Sequence, residues 1–163
     1  IGEDFGSGRM FLPQVLLSAE TMRAAFDKLK ELIPASANAD KGTFVIATVK
    51  GDVHDLGKNI TGALLANSGF KVIDLGKDVD ADTIVRAAKE HQADIVGLAA
   101  LMTTTMPQID KVIAKLREEN VKARVMIGGA AVTQDYADAC GADAYAADGV
   151  KAVKLAKQMV GAE

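Results

Sequence analysis

Phe44-Val45-Ile46-Ala47-Thr48-Val49 runs through Lys50-Gly51 into Asp52-Val53-His54-Asp55-Leu56-Gly57. The first six residues, apolar and β-branched, read as a buried strand. The last six form a D-x-H-x-x-G run between that strand and a helix-like segment. A carboxylate two residues before an imidazole, at the mouth of a βα turn, suits a metal-ligating histidine whose other ring N–H goes to a carboxylate. Gly57 lets the chain turn tightly and approach something bulky. Average composition produces such a run by chance in on the order of one chain in a hundred. It points to a large metal cofactor.

Outward from this run the pattern alternates. A helix is expected over 58–68, a strand over Phe70–Leu75, and a helix over 81–91. A strand over Asp94–Leu98 and a helix over 107–119 follow, then a strand over Arg124–Ile127 and a short helix over 133–140. Asp143–Tyr145 is a short fifth strand, and 149–160 a last helix. Short apolar strands separated by helices predict an α/β fold with a parallel sheet covered on both faces. Five such units favour a flavodoxin- or Rossmann-like sheet of order 2-1-3-4-5, with ligands beyond the carboxyl ends of strands 1 and 3. The D-x-H-x-x-G run leaves strand 1, Thr103-Thr104-Thr105 leaves strand 3, and Gly128-Gly129 leaves strand 4. All three are expected at that one edge.

Ahead of the sheet, Leu12, Val15, Leu16, Ala19, Met22, Phe26, Leu29 and Ile33 recur at three- and four-residue steps, an amphipathic helix over 12–33. Pro13 suits its first turn and Pro34 stops it. The expected organisation is a helical unit over 1–34, a small polar linker over 35–42 and the α/β domain over 43–163. The Gly-rich start at Ile1 leads us to expect further sequence ahead of it.

Composition narrows the function. The 163 residues are 49% hydrophobic with net charge −3. That is globular, with no basic stripe for nucleic acid and no apolar run long enough to span a membrane. No signal peptide is read. One cysteine, Cys140, cannot form an internal disulfide, which fits a reducing cytoplasm. It reads as an inert helix-end residue.

His54 is the sharpest candidate, against the bland reading of a loop histidine with Asp52 or Asp55 as a helix cap. The other histidine, His91, lies on a polar helix end, so no second histidine or cysteine completes a zinc site. A metal held by one histidine must bring its other ligands with it, as a tetrapyrrole-like cofactor does. Gly51, Gly57, Gly62, Gly97, Gly128 and Gly129 read either as tight packing or as a side-chain-free slot for a long ligand arm. Neither a G-x-G-x-x-G after strand 1 nor a Walker motif is present, which argues against the usual nucleotides. Thr103, Thr104 and Thr105 either cap the helix near Pro107 or extend the His–Asp pair through a hydroxyl facing Asp52.

At this point the sequence resembles a known family. Gly51-Asp52-Val53-His54-Asp55-Leu56-Gly57-Lys58-Asn59, Val96-Gly97-Leu98-Ala99-Ala100-Leu101-Met102-Thr103-Thr104-Thr105-Met106 and Ile127-Gly128-Gly129-Ala130 are similar to the cobalamin-binding module of methionine synthase and of methyltransferase corrinoid proteins. Phe5-Gly6-Ser7-Gly8-Arg9-Met10-Phe11-Leu12-Pro13-Gln14-Val15 resembles the helical cap preceding that module, here with its earlier helices absent. The resemblance implies cobalamin or a related corrinoid (methylcobalamin), with His54 as lower axial ligand to cobalt. It implies that Asp52 bonds the far nitrogen of His54, and that Thr105 completes a relay. It implies that Thr103 and the backbone of Gly51, Val53 and Asp55 meet the corrin, and that Gly128, Gly129 and Gly149 line a slot for the cofactor's nucleotide tail. Phe5 and Leu12 would shield the upper face. The family's S-x-L reads Ala99-Ala100-Leu101 here, so a hydroxyl expected on the tail base is missing and a different lower base comes into question.

The function the resemblance implies is a cytoplasmic methyl carrier. A substrate:corrinoid methyltransferase would load it, a corrinoid:acceptor methyltransferase would unload it to a folate or thiol, and a reductive activation protein would restore it. Neither nucleic acid nor membrane is an expected partner. The competing readings are the B12 domain of a mutase, a B12-sensing regulator, and a cofactor-free signalling domain. The last needs an acidic cluster at the strand ends, which a His-plus-Thr set supplies poorly.

Overall fold

The computed structural model describes residues 41–161 and, ahead of them, Arg9, Phe11, Gln14, Leu17, Ser18, Glu20, Thr21, Met22, Ala24, Ala25 and Lys28. The chain divides into two units, Ile1–Pro34 and Ala35–Glu163. In the first, the described residues from Gln14 to Lys28 have helical backbone. Of the apolar positions expected on that helix, only Met22 lies among the described residues, and it is exposed. Phe5, Leu12, Pro13 and Pro34 lie outside them.

In the second unit the β-branched runs become strands β1 (Thr43–Thr48), β2 (Lys71–Asp74), β3 (Ile95–Ala99), β4 (Arg124–Gly128) and β5 (Ala144–Ala146). They pair in parallel in the order β2-β1-β3-β4-β5. Helices α1 (Leu56–Asn67), α2 (Ala81–Glu90), α3 (Pro107–Glu118), α4 (Gln134–Cys140) and α5 (Gly149–Met159) connect and follow them. This is the expected doubly wound fold, with element ends displaced by one or two residues.

Local chemistry sets several boundaries. The side chains of Asp80, Thr133 and Asp148 accept the N–H of Thr83, Tyr136 and Lys151 at the starts of α2, α4 and α5. Pro107 occupies the first turn of α3, where its missing N–H costs nothing.

Because strand side chains alternate, each face collects its own core. Val45, Ala47, Val96, Leu98, Val125 and Ile127 pack with Ile84, Val85, Ile109, Val112 and Ala137 from α2, α3 and α4. Phe44, Ile46, Ile95 and Met126 pack with Leu65 of α1 and Ala152 and Ala156 of α5. Burying each of these larger side chains contributes about 1.5–3 kcal/mol, so both cores are needed to hold five short strands. Gly97 lies on the second face, where an added Cβ would stand 2.4 Å from Cε1 of the Phe44 ring.

At the carboxyl ends the loops after β1 and β3 lie side by side, because those strands are sheet neighbours in register Thr48↔Ala99. The chain leaves β1 toward β2 and arrives at β3 on the other side, which opens a crevice between the two loops.

Candidate functional site

Asp52 organises this crevice. The turn Val49–Asp52 is closed by Asp52 N–H on the Val49 carbonyl at 3.1 Å. Gly51 takes φ +82, a left-handed conformation that a side chain would strain, and gives its N–H to Asp78 Oδ1 at 2.8 Å. The turn drives the Asp52 side chain inward, to zero exposure.

Its two oxygens divide the work. Oδ1 accepts the His54 backbone N–H at 3.1 Å and faces His54 Nδ1 at 2.8 Å. Oδ2 accepts the N–H groups of Leu101 at 2.7 Å and Met102 at 3.4 Å, and the Thr105 hydroxyl at 2.9 Å. The first set is an Asx turn within one loop; the second staples the neighbouring loop to it. Burial alone would raise the Asp52 carboxyl. The bonds from Leu101 N–H, both His54 groups and the Thr105 hydroxyl outweigh it and bring the group down to about 2. Asp52 is thus a permanent carboxylate acceptor at neutral pH.

An acceptor at Nδ1 fixes the imidazole tautomer. The ring proton resides on Nδ1, and Nε2 keeps its lone pair. The His54 side chain is 48% exposed, so that lone pair is reachable. Its backbone carbonyl is held by the Thr48 hydroxyl at 3.0 Å.

The expectations for the three threonines separate here. Thr103 and Thr104 are exposed at the sheet edge, whereas Thr105 is buried. None caps α3: its N-cap position is Met106, with no side-chain cap bond. Thr105 instead bonds Asp52 and approaches the Met102 carbonyl at 2.8 Å. Asp55 stands at the N-cap of α1, also without a side-chain cap bond.

The glycines separate too. Gly129 takes φ +120, and an added Cβ would overlap the Ala100 carbonyl, so it lets the loops after β3 and β4 touch. Gly149 sits tightly against Leu64 and Thr61 of α1. Gly128 lies against the Ala146 carbonyl, 2.8 Å from an added Cβ. Gly57 is open, with nothing within 4 Å. Gly62 has only ordinary contact with Val72. Val53 and Leu101, on the two loops, are exposed apolar residues at 58% and 42%.

Two contributors escaped the sequence reading. Lys58 is buried, and its Nζ bonds Asp74 Oδ1 and Oδ2 at 2.6 and 2.7 Å and Asn59 Oδ1 at 2.6 Å. This pins the first turn of α1 to the end of β2. A signal existed: Lys58, Gly62 and Leu65 share the buried stripe of α1 at steps of four and three. Asp78, which holds Gly51 and Lys50, had no such signal, because it acts from a loop 27 residues away.

His91 ends α2 as its C-cap, and Cys140 is a half-buried thiol pushed up by burial. Among the described residues no group of three or more His, Cys, Asp or Glu side chains is placed to hold a metal ion, and no helix is long and apolar enough to cross a membrane. A single exposed imidazole nitrogen suits a metal that brings its other ligands with it. One free imidazole nitrogen on a rigid carboxylate, an apolar rim of Val53 and Leu101, and small residues at the strand ends fit a large planar metal cofactor with an arm.

Comparison with known proteins agrees. Residues 42–155 match the family described as B12 binding domain, and residues 1–30 match a second family of that description. The chain is 46% identical over 163 residues to dimethylamine corrinoid protein 3 of Methanosarcina mazei, covering 98% of each. The solved monomethylamine corrinoid protein of Methanosarcina barkeri aligns with TM-score 0.85 at 31% identity, over 96% of this chain and 76% of that one. The methanol:cobalamin methyltransferase complex MtaBC of Methanosarcina barkeri aligns with TM-score 0.73 at 35% identity, over 99% of this chain and 62% of that one.

Proposed function

The chain belongs to the B12 binding domain family, and from that premise we propose that it is the methyl-carrying corrinoid protein of a methyltransferase system. The observation that carries the reading is the Asp52 carboxylate, fully buried and accepting from two loops, with His54 held on it at 2.8 Å. A structural carboxylate needs no half-exposed imidazole; an axial ligand does.

A bound corrinoid supplies a cobalt centre that takes a methyl group from one partner and yields it to another. The residues do the rest. His54 Nε2 would hold the cobalt of a bound corrinoid. Asp52 holds the Nδ1 proton and orients the ring; Thr105 holds Asp52 from behind. The Asp52–Thr105 pair would keep the ring in place throughout. Val53, Thr103 and the backbone of Gly51 and Asp55 form the seat of the corrin, with Gly57 leaving room beside it. Ala99, Leu101, Gly128, Gly129 and Gly149 serve the nucleotide arm.

The partners are a substrate:corrinoid methyltransferase, a corrinoid:acceptor methyltransferase and a reductive activation protein, in the cytoplasm. The relatives named for dimethylamine and monomethylamine favour a methylated amine as donor.

The test is reconstitution of the chain with cobalamin, followed by gel filtration and visible spectroscopy. Coloured wild type, and a His54→Ala variant that keeps the corrinoid with displaced absorption bands, are expected. Colourless wild type, or identical spectra for both, refutes the reading.

A further inference from the structure

Asp78 takes φ +57, a left-handed backbone that is costly for a residue with a Cβ. Among the described residues Gln92 and Asn120 are the other non-glycine positions with positive φ. Each directly follows a helix C-cap, where that conformation is ordinary. Asp78 ends no helix. It lies in the loop between β2 and α2, so its conformation has another cause.

That cause is the turn carrying Asp52. The loop after β2 keeps pairing with the end of β1 on either side of the outlier. Thr48 gives its N–H to the Gly76 carbonyl at 3.0 Å and accepts the Val79 N–H on its own carbonyl at 3.1 Å. Lys77 and Asp78, between those partners, are left without a place in the ladder. Asp78 turns instead to the next turn of chain. It gives its N–H to the Asp52 carbonyl at 3.0 Å and takes the Gly51 N–H on Oδ1 at 2.8 Å. The main chain of Asp52 is thus held from the β2 side. Its carboxylate is held from the β3 side, by Leu101, Met102 and Thr105. The β3 grip alone leaves the turn a pivot about that carboxylate, and His54 lies only two residues on.

We propose that Asp78 is a positioning residue for the imidazole. Its paired bonds to Gly51 and Asp52 fix where His54 Nε2 stands above the sheet, and so set how firmly His54 holds a bound corrinoid. This rests on the reading of the chain as a corrinoid carrier. Asp78 bonds the main chain of the turn and Lys50 Nζ, the latter at 3.1 Å, so it acts on His54 through the turn. Its side chain is 47% exposed, so its loss should leave the fold standing.

The experiment is a double-mutant cycle on dissociation constants for methylcobalamin, read by visible titration of the full chain. Asp78→Gly adopts the left-handed backbone without steric cost and removes the acceptor of the Gly51 N–H. With His54 present it should weaken binding at least about threefold; in the His54→Ala background it should change binding by less than about 1.5-fold. A residue that merely supports the fold would weaken both alike. Asp78→Asn tolerates the same backbone and keeps an oxygen for Gly51, so it should bind within about 1.5-fold of wild type. Equal weakening in both backgrounds, no weakening in either, or an asparagine variant as weak as the glycine one overturns the proposal. Should Asp78→Gly not fold, Asp78→Ala takes its place in the cycle and is read by the same criteria. Wild type that binds no methylcobalamin refutes the carrier reading instead.

Discussion

Replacing Asp52 by Asn changes one oxygen into an NH2, and the structure decides which. With the amide oxygen at Oδ2, the bonds from Leu101 N–H at 2.7 Å and the Thr105 hydroxyl at 2.9 Å survive. The NH2 then faces His54 N–H, a donor against a donor, and His54 Nδ1, which can accept if its proton leaves. The reverse orientation keeps both His54 contacts but sets the NH2 against the tighter Leu101 N–H and against Met102 N–H. The first orientation leaves one backbone donor unmet, the second leaves two. Asp52→Asn should therefore move the imidazole proton from Nδ1 to Nε2 and remove the exposed lone pair. One unmet N–H costs about 1–3 kcal/mol, and loss of charge assistance on the surviving bonds adds about 1 kcal/mol. Relief from burying a charge offsets part of this, for a net loss of about 1–3 kcal/mol. Urea denaturation of the cofactor-free chain measures the loss, and nitrogen-15 NMR of the histidine ring reports the tautomer. With cobalamin added, the variant's spectrum should match that of His54→Ala. An Nδ1–H ring and unchanged stability in Asp52→Asn would refute the reasoning.

Three further outcomes follow from the same geometry. The Asp52 carboxyl lies below its ordinary value in the fold, at about 2, so its contribution is complete above about pH 4 and is lost as pH falls through 2. The stability gap between wild type and Asp52→Asn should therefore shrink by about 2 kcal/mol from pH 5 to pH 2, read from urea midpoints; a gap independent of pH contradicts this. Gly97→Ala drives a methyl group into the buried Phe44 ring and should cost about 1–3 kcal/mol by thermal denaturation, with a neutral result showing that the second core yields freely. Gly57→Ala meets nothing within 4 Å on a helix and should stabilise the cofactor-free chain by about 0.5–1 kcal/mol while weakening corrinoid binding. Unchanged corrinoid affinity in that variant would mean that Gly57 does not face the cofactor.

The strands were legible because each is a short run bounded by turn residues, and because a buried parallel strand has little freedom to be anything but apolar. The order β2-β1-β3-β4-β5 followed from the βα alternation. The Asp52–His54 contact was legible because it spans two residues, and a carboxylate at that spacing closes on the following loop. Lys58 was not. A lysine on a helix is normally solvated, and only the position of Asp74 on β2 draws its ammonium inside.

What the sequence alone determined is therefore everything local: the periodicities, the D-x-H-x-x-G run at the mouth of the first βα turn, and the imidazole beside its carboxylate. What only the tertiary structure decided is which distant groups meet that carboxylate. Three consecutive threonines are equivalent in sequence, and Thr105 is singled out because adjacency of β1 and β3 brings it to Asp52 across 53 positions, while Thr103 and Thr104 face outward. The sequence offers the same two readings for Gly57 and Gly97, tight packing or open slot, yet one stands in open space and the other against an aromatic ring. Hydrogen bonds and side-chain contacts act over a few ångströms, and only the folded chain sets which remote residues fall within that reach.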